Sequence, residues 1–136
     1  MIVIDAGVAV KWFAPEPGTA EAEALLATDE PRVAPEHLAA EVGQALLRHY
    51  REGGVTLDHC REAISHLRRY VRLFSTEALA SEALEIAAMS GCSVYDALYV
   101  AAAERWHGVV VTADAKLVAK LGRSRWQSRL RLLAPG

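Results

Sequence analysis

The chain has 136 residues and 52% of them are hydrophobic, enough to build one globular core without disulfide staples. Net charge is −2, so composition alone names no polyanionic partner, and no apolar run is long enough to span a bilayer. Charge is unevenly spread: residues 1–47 carry net −6 and residues 105–136 carry net +6, so a local basic field is available despite the negative total.

The first strand is Ile2-Val3-Ile4, and Asp5 ends it. A strand at the start of the chain suits the middle of a parallel sheet. Its last residue then faces the crevice at the carboxyl ends of the strands, where open α/β sheets bind ligands. Ala6–Phe13 predicts a short helix, stopped by Pro15, Pro17 and Gly18. Thr19–Ala27 is a second helix and 28–31 a loop. Residues 32–34 form a weak strand, ended by Pro35. Glu36–Arg51 is an amphipathic helix, with Leu38, Val42, Ala45, Leu46 and His49 along one face and Glu41 at its edge. Gly53-Gly54 ends it, and a helix from Thr56 or Asp58 to about Tyr70 completes an αα-hairpin.

Val71–Phe74 reads as a short strand and Thr76–Ser90 as a helix ended by Gly91. Ser93–His107 is apolar nearly all round in its first turns, which marks a buried helix. Val109–Thr112 is the strongest strand. Asp114 follows it, then a short helix over Ala115–Leu121. Arg123–Arg131 is basic and contains Trp126, and Leu130–Leu133 is a candidate edge strand. Strands alternate with helices throughout. The expected architecture is α/β: a three-layer α/β/α sandwich with a mostly parallel central sheet, in one domain over residues 1–136. The start of the chain lacks the pattern of a signal peptide. Cys60 and Cys92 belong to no metal or redox motif, so a reduced, cytoplasmic protein is the simplest expectation. His37, His49, His59, His66 and His107 form no ligand spacing and read as surface or helix-face residues.

Four acids carry the functional argument. Singly, each has a bland reading. Asp5 and Asp114 cap helices, Asp96 completes a capping box with Ser93, and Glu41 is a solvated helix residue. Jointly they are harder to dismiss. Asp5 and Asp114 both end strands of one parallel sheet, Asp96 opens a buried helix, and Glu41 borders a face that must pack on the sheet. Carboxylates converging there would repel one another, and a divalent cation removes the conflict. An all-oxygen donor set favours Mg²⁺ or Mn²⁺ over Zn²⁺. Such a site suits hydrolysis of phosphodiesters. Lys11, Lys116, Arg123 and Arg125 are candidates to hold substrate phosphates. Trp12, Tyr95, Tyr99 and Trp126 are candidates to stack on bases, although core packing is the better reading of them.

The segments Val3–Phe13, Pro35–Leu46, Ser93–Ala101 and Val111–Leu117 resemble, in order, the four motifs of PIN domains of the VapC toxin type. The resemblance covers essentially the whole chain. It implies a Mg²⁺- or Mn²⁺-dependent endoribonuclease, a toxin paired with a small cognate antitoxin, and a homodimer. It also implies that Asp5, Glu41, Asp96 and Asp114 are the family's four acids and metal ligands. Thr112 matches the small hydroxyl residue beside the last acid. Two positions depart from the pattern: Gly7 stands where serine is usual, and Gln44 where asparagine often follows the glutamate. They keep alive a reading from another class, a PIN-like module that binds RNA or a partner without cutting it. A phosphoacceptor domain is disfavoured, because Asp5 has no acidic neighbour and Lys116 lies too far past its strand. A haloacid-type phosphatase wants an acid at position 7. The helical hairpin of residues 36–71 is the expected antitoxin-docking surface, from which a basic side chain would enter the crevice.

Overall fold

In the computed structural model, residues 1–133 are described; the last three residues of the expected domain, 134–136, lie outside them. The elements follow the chain as β1 (Ile2–Ile4), α1 (Ala6–Ala9, extended by a 3₁₀ turn to Trp12), α2 (Thr19–Leu26), β2 (Arg32–Pro35), α3 (Leu38–Arg51), α4 (Leu57–Tyr70) and β3 (Arg72–Phe74). Then come α5 (Ala80–Ser90), α6 (Val94–Arg105), β4 (Val109–Thr112), α7 (Ala115–Leu121) and β5 (Leu130–Leu132). The five strands form one sheet in the order β3-β2-β1-β4-β5, and every pairing is parallel. β1 is central, as expected of a buried Ile-Val-Ile strand. All three of its side chains are buried.

The order reverses between β1 and β4. β1 to β3 step outward in one direction, and β4 and β5 in the other. Right-handed crossovers therefore put α1–α4 on one face and α5–α7 on the opposite face. A crevice opens where the direction switches, at the carboxyl ends of β1 and β4. Asp5 and Thr112 stand at that mouth because they follow or end those two strands.

The faces are sealed by amphipathic helices. α3 and α4 pack as a hairpin through Leu38, Val42 and Leu46 on one and Cys60, Ala63 and Leu67 on the other. α6 is buried over the whole run Ala97–Ala103, between α5 and the sheet. Alanine dominates that run because a helix covered on both sides needs small side chains for close approach. Three boundaries differ from expectation. Pro35 lies inside β2 rather than after it, and tolerates this by accepting no ladder donor role. α3 starts at Leu38, two residues later than the sequence implied, because Glu36 donates its backbone N–H to Phe74 O of β3. Val71 is the cap of α4 and not part of β3. Among the described residues no single helix is long and apolar enough to cross a membrane.

Candidate active site

Asp5, Glu41, Asp96 and Asp114 line one crevice of about 360 Å³, together with Ala6, Gly7, Gln44, Ala45, Arg48 and Tyr99. Four different elements or their caps supply these residues, so the crevice exists only in the folded chain.

The capping readings and the site readings describe the same groups. Asp5 caps α1: its Oδ1 accepts from Val8 N–H at 3.0 Å. Asp114 caps α7: its Oδ1 accepts from Lys116 N–H at 2.9 Å and Leu117 N–H at 3.2 Å. Thr112 Oγ1 accepts from Asp114 N–H at 3.0 Å and ties the turn to β4. Ser93 caps α6 by accepting from Asp96 N–H at 3.0 Å. Each cap fixes a backbone turn, and the turn aims the carboxylate at the crevice.

Glu41 is held from the opposite face. Tyr99 of α6 donates its hydroxyl to Glu41 Oε1 at 2.6 Å. His37 lies against the Tyr99 ring, centroids 4.6 Å apart, and its Nε2 stands 3.5 Å from the same Oε1. Glu41 and Asp114 thus each use one oxygen on the protein, and among the described residues their other oxygens carry no hydrogen bond.

Crowding has an electrostatic signature. Burial raises the Asp5 pKa to about 6, with the charges of Asp96 and Glu41 adding to it, against the opposing hydrogen bonds of Thr112 and Val8. Asp96 is raised by partial burial and then by Glu41 and Asp114, opposed by Ser93 and Lys120. Burial, followed by the Glu41 charge, pushes the Tyr99 hydroxyl up as well, which keeps it a neutral donor. Carboxylates held together at this energetic expense are what a bound divalent cation relieves, and the donors are the hard oxygens that Mg²⁺ or Mn²⁺ takes. Among the described residues, no three acidic, histidine or cysteine side chains already stand as a closed ligand set. The donor chemistry fits the ion; closing a shell around it requires the carboxylates to move within the crevice.

The expected phosphate contacts divide. Lys11 does not line the crevice. It is 8% exposed, and its Nζ pairs with Glu16 Oε1 at 3.0 Å, while His49 Nε2 lies 2.6 Å from Glu16 Oε2. Pro15 and Pro17 fold the chain back and bring Glu16 over it, a local reversal that no periodicity predicts. Arg125 lies over the Trp126 ring at 4.7 Å, on the α5 side. Trp126 is core, at 2% exposure. Lys116 and Arg123 are exposed, and neither lines the crevice. The cation that does line it is Arg48, which sequence reasoning missed although Glu41, Gln44 and Arg48 are spaced three and seven residues apart on one helix face. Tyr99 is core, as its residue type suggested, at 1% exposure; what the sequence did not show is that its hydroxyl donates to Glu41.

Gly7 lines the crevice, and a Cβ placed on it would meet Asp5 Oδ1 at 3.6 Å, an ordinary contact. A larger open cleft, about 700 Å³, lies at the other end of the strands and is lined by Thr28–Val33 and Arg68–Phe74. None of the four acids is near it.

The model of the PIN domain family matches residues 2–122. A curated relative, Ribonuclease VapC3 of Pyrobaculum aerophilum, is 28% identical over 122 residues, covering 88% of this chain and 93% of its own. Two solved structures share the fold. VapC20 of Mycobacterium tuberculosis, described as a sarcin–ricin-loop-cleaving toxin, superposes with a TM-score of 0.70 at 18% identity, covering 88% of this chain and 94% of its own. A chain of a toxin–antitoxin complex from Klebsiella pneumoniae superposes with a TM-score of 0.65 at 14% identity, covering 100% and 98%. A family model that spans nearly the whole chain, over a crevice assembled from four ordered acidic motifs, places the protein in the PIN domain family.

Proposed function

We propose that the protein is a metal-dependent endoribonuclease that hydrolyses RNA phosphodiester bonds, and that it is the toxin of a toxin–antitoxin pair. The observation that carries this reading is the convergence of Asp5, Glu41, Asp96 and Asp114 on one crevice at the switch point of the sheet. The resemblance to a VapC ribonuclease and to toxin structures supports the choice of RNA.

Asp5, Glu41, Asp96 and Asp114 would hold Mg²⁺ or Mn²⁺, which when bound supplies charge neutralisation and an activated water at neutral pH. Asp5 and Asp114 are each anchored on one oxygen by a cap hydrogen bond from the backbone. Tyr99 keeps Glu41 turned inward by donating to it. Thr112, buried at the end of β4, holds the turn that presents Asp114 and lies against Asp5. Gln44 presents an exposed amide on the α3 wall of the crevice. A cognate antitoxin is the expected protein partner, a homodimer the expected assembly and the cytoplasm the expected compartment, with residues 1–136 acting as a single PIN unit. The similarity to a chain from a toxin–antitoxin complex supports the partner.

The test is cleavage of a labelled mixed RNA pool by the antitoxin-free protein in Mg²⁺, Mn²⁺ or EDTA, beside an Asp96→Asn variant. Cleavage that needs the metal and is lost in the variant is the expected result. A second reading, a module that binds RNA or a partner without cutting, is favoured by Gly7, which brings no side-chain hydroxyl of its own to the crevice. Under that reading no metal yields cleavage. Gly7→Ser, which has room for its side chain, would then bring cleavage about.

A further inference from the structure

Tyr99 holds Glu41, and the geometry around Tyr99 shows what holds it in turn. His37 is the N-cap residue of α3, one turn before Glu41. Its side chain makes no capping bond to α3. It reaches α6 instead. Nε2 stands 3.0 Å from Tyr95 O, and the ring lies against the Tyr99 ring, centroids 4.6 Å and planes 37° apart. A carbonyl oxygen only accepts, so Nε2 carries a hydrogen and donates it to Tyr95 O. Tyr95 and Tyr99 are one turn apart on α6. His37 thus bonds to the backbone of one and lies on the side chain of the other.

Packing alone does not account for a histidine here. The side chain is 13% exposed, and its Nδ1 is buried without a hydrogen-bond partner among the described residues. Buried nitrogens left unpaired are uncommon in folded proteins and call for a compensating role. Leucine or phenylalanine would fill the space without that loss, and neither could donate to Tyr95 O. The compensation is a fixed ring beside Tyr99. The Tyr95 bond sets the imidazole, the imidazole closes one side of the phenol, and the phenol hydroxyl meets Glu41 Oε1 at 2.6 Å. His37 Nε2 is 3.5 Å from the same oxygen, and its hydrogen is given to Tyr95 O, so its hold on Glu41 runs through Tyr99.

We infer that His37 is a positioning residue for the metal site: by joining the start of α3 to the first two turns of α6 it fixes Tyr99, and through Tyr99 it presets the Glu41 carboxylate for a divalent cation. The inference rests on the metal-dependent reading above and adds the residue that orients one of its ligands from a distance. Removing a group that orients a metal ligand typically costs about ten- to a hundredfold in metal affinity. His37 stands one contact further out than Tyr99, which places its effect at the lower end.

The experiment is Mn²⁺ binding by isothermal titration calorimetry, without RNA. It compares the full chain with His37→Ala, His37→Gln, Tyr99→Phe and the His37→Ala, Tyr99→Phe double variant, each shown to be folded by urea unfolding in EDTA. His37→Ala should weaken Mn²⁺ binding about tenfold. His37→Gln, whose planar amide can donate to Tyr95 O and lie on the Tyr99 ring, should return it to within about twofold of the parent. In the Tyr99→Phe background there is no hydroxyl left to hold, so His37→Ala should change the constant by less than about twofold, the non-additivity of residues that act in series. A side chain that only packs would lower the urea midpoint and leave the affinity of the folded chain where it was. His37→Leu keeps the bulk and lacks the donor; it carries the same expectation as His37→Ala and replaces it if that variant fails to fold. Parental Mn²⁺ affinity in the folded variant overturns the inference. So does a tenfold loss that recurs in the Tyr99→Phe background or that His37→Gln shares. A parent chain that takes up no Mn²⁺ overturns the metal-dependent reading together with this inference, whereas Mn²⁺ uptake that is equal in the parent and in His37→Ala overturns this inference alone.

Discussion

Replacing Asp5 by asparagine should make the metal-free protein more stable at neutral pH. Asp5 is 7% exposed and its pKa is raised from 3.8 to about 6, first by burial and then by Asp96 and Glu41. The folded state therefore binds the Asp5 proton more tightly than the unfolded chain does. Its contribution is most favourable below pH 3.8, declines as pH rises through that value, and is fully lost above about pH 6. A rise of about two units corresponds to roughly 3 kcal/mol at pH 7.5. Asparagine keeps the oxygen that accepts from Val8 N–H and ranks with aspartate as a cap, so the substitution removes the charge and spares the turn. Urea unfolding in EDTA at pH 7.5 and pH 4, followed by tryptophan fluorescence, reads the effect. Asp5→Asn should exceed the parent by up to about 3 kcal/mol at pH 7.5, with the gap narrowing toward pH 4. With Mn²⁺ present the order should reverse, because a ligand that binds only the folded parent stabilises it by mass action. An Asp5→Asn chain less stable than the parent at pH 7.5 in EDTA, or a gap that does not change with pH, would refute the argument.

Three further outcomes follow from the same geometry. Tyr99→Phe removes the donor to Glu41 Oε1 and should destabilise the fold by about 1–2 kcal/mol in urea, and weaken Mn²⁺ binding measured by calorimetry. Gly108→Ala places a Cβ 2.9 Å from the Met1 carbonyl oxygen, beside the β1–β4 pairing, and should cost about 1–3 kcal/mol with no exposed or catalytic group altered. For Glu16, burial alone would raise the pKa, but hydrogen bonds from His49 and Lys11 outweigh it and hold the carboxylate below its usual 4.5. That contribution is present above pH 4.5 and is lost as pH falls through the folded value, so Glu16→Gln should destabilise the protein at pH 7 and progressively less in acid, as read by thermal melting across pH.

Much of this protein is legible in local sequence. The run Ile2-Val3-Ile4, the alternation of short apolar strands with amphipathic helices, and the nearly all-apolar stretch after Ser93 depend on neighbours along the chain, and each became the element it implied. The caps are local as well: Asp5, Ser93 and Asp114 precede helices by the spacing that satisfies their first N–H groups. Where boundaries moved, the cause was a distant partner, as at Glu36, whose N–H bonds to β3. The four acids could be picked out because they end strands or open helices, which are the positions a parallel sheet brings to one edge.

Other features belonged to the tertiary structure alone. The sheet order β3-β2-β1-β4-β5 set β1 beside β4, across a gap of more than a hundred residues, and this made Asp5, Asp96 and Asp114 neighbours. Lys11 left the crevice it was expected to serve, and Arg48, for which no role was expected, lines it, for the same reason. Lys11 sits beside Asp5 in sequence yet meets Glu16 through a proline-folded loop, and Arg48 is far from every aspartate of the crevice in sequence yet shares a wall with them. The hydrogen bond from Tyr99 to Glu41 joins residues 58 positions apart. Helix and strand preferences are set within a few residues by sterics and solvation, and so they can be read from the chain. Side-chain partners and their pKa values depend on what packing brings within a few ångströms, and only the folded chain decides that.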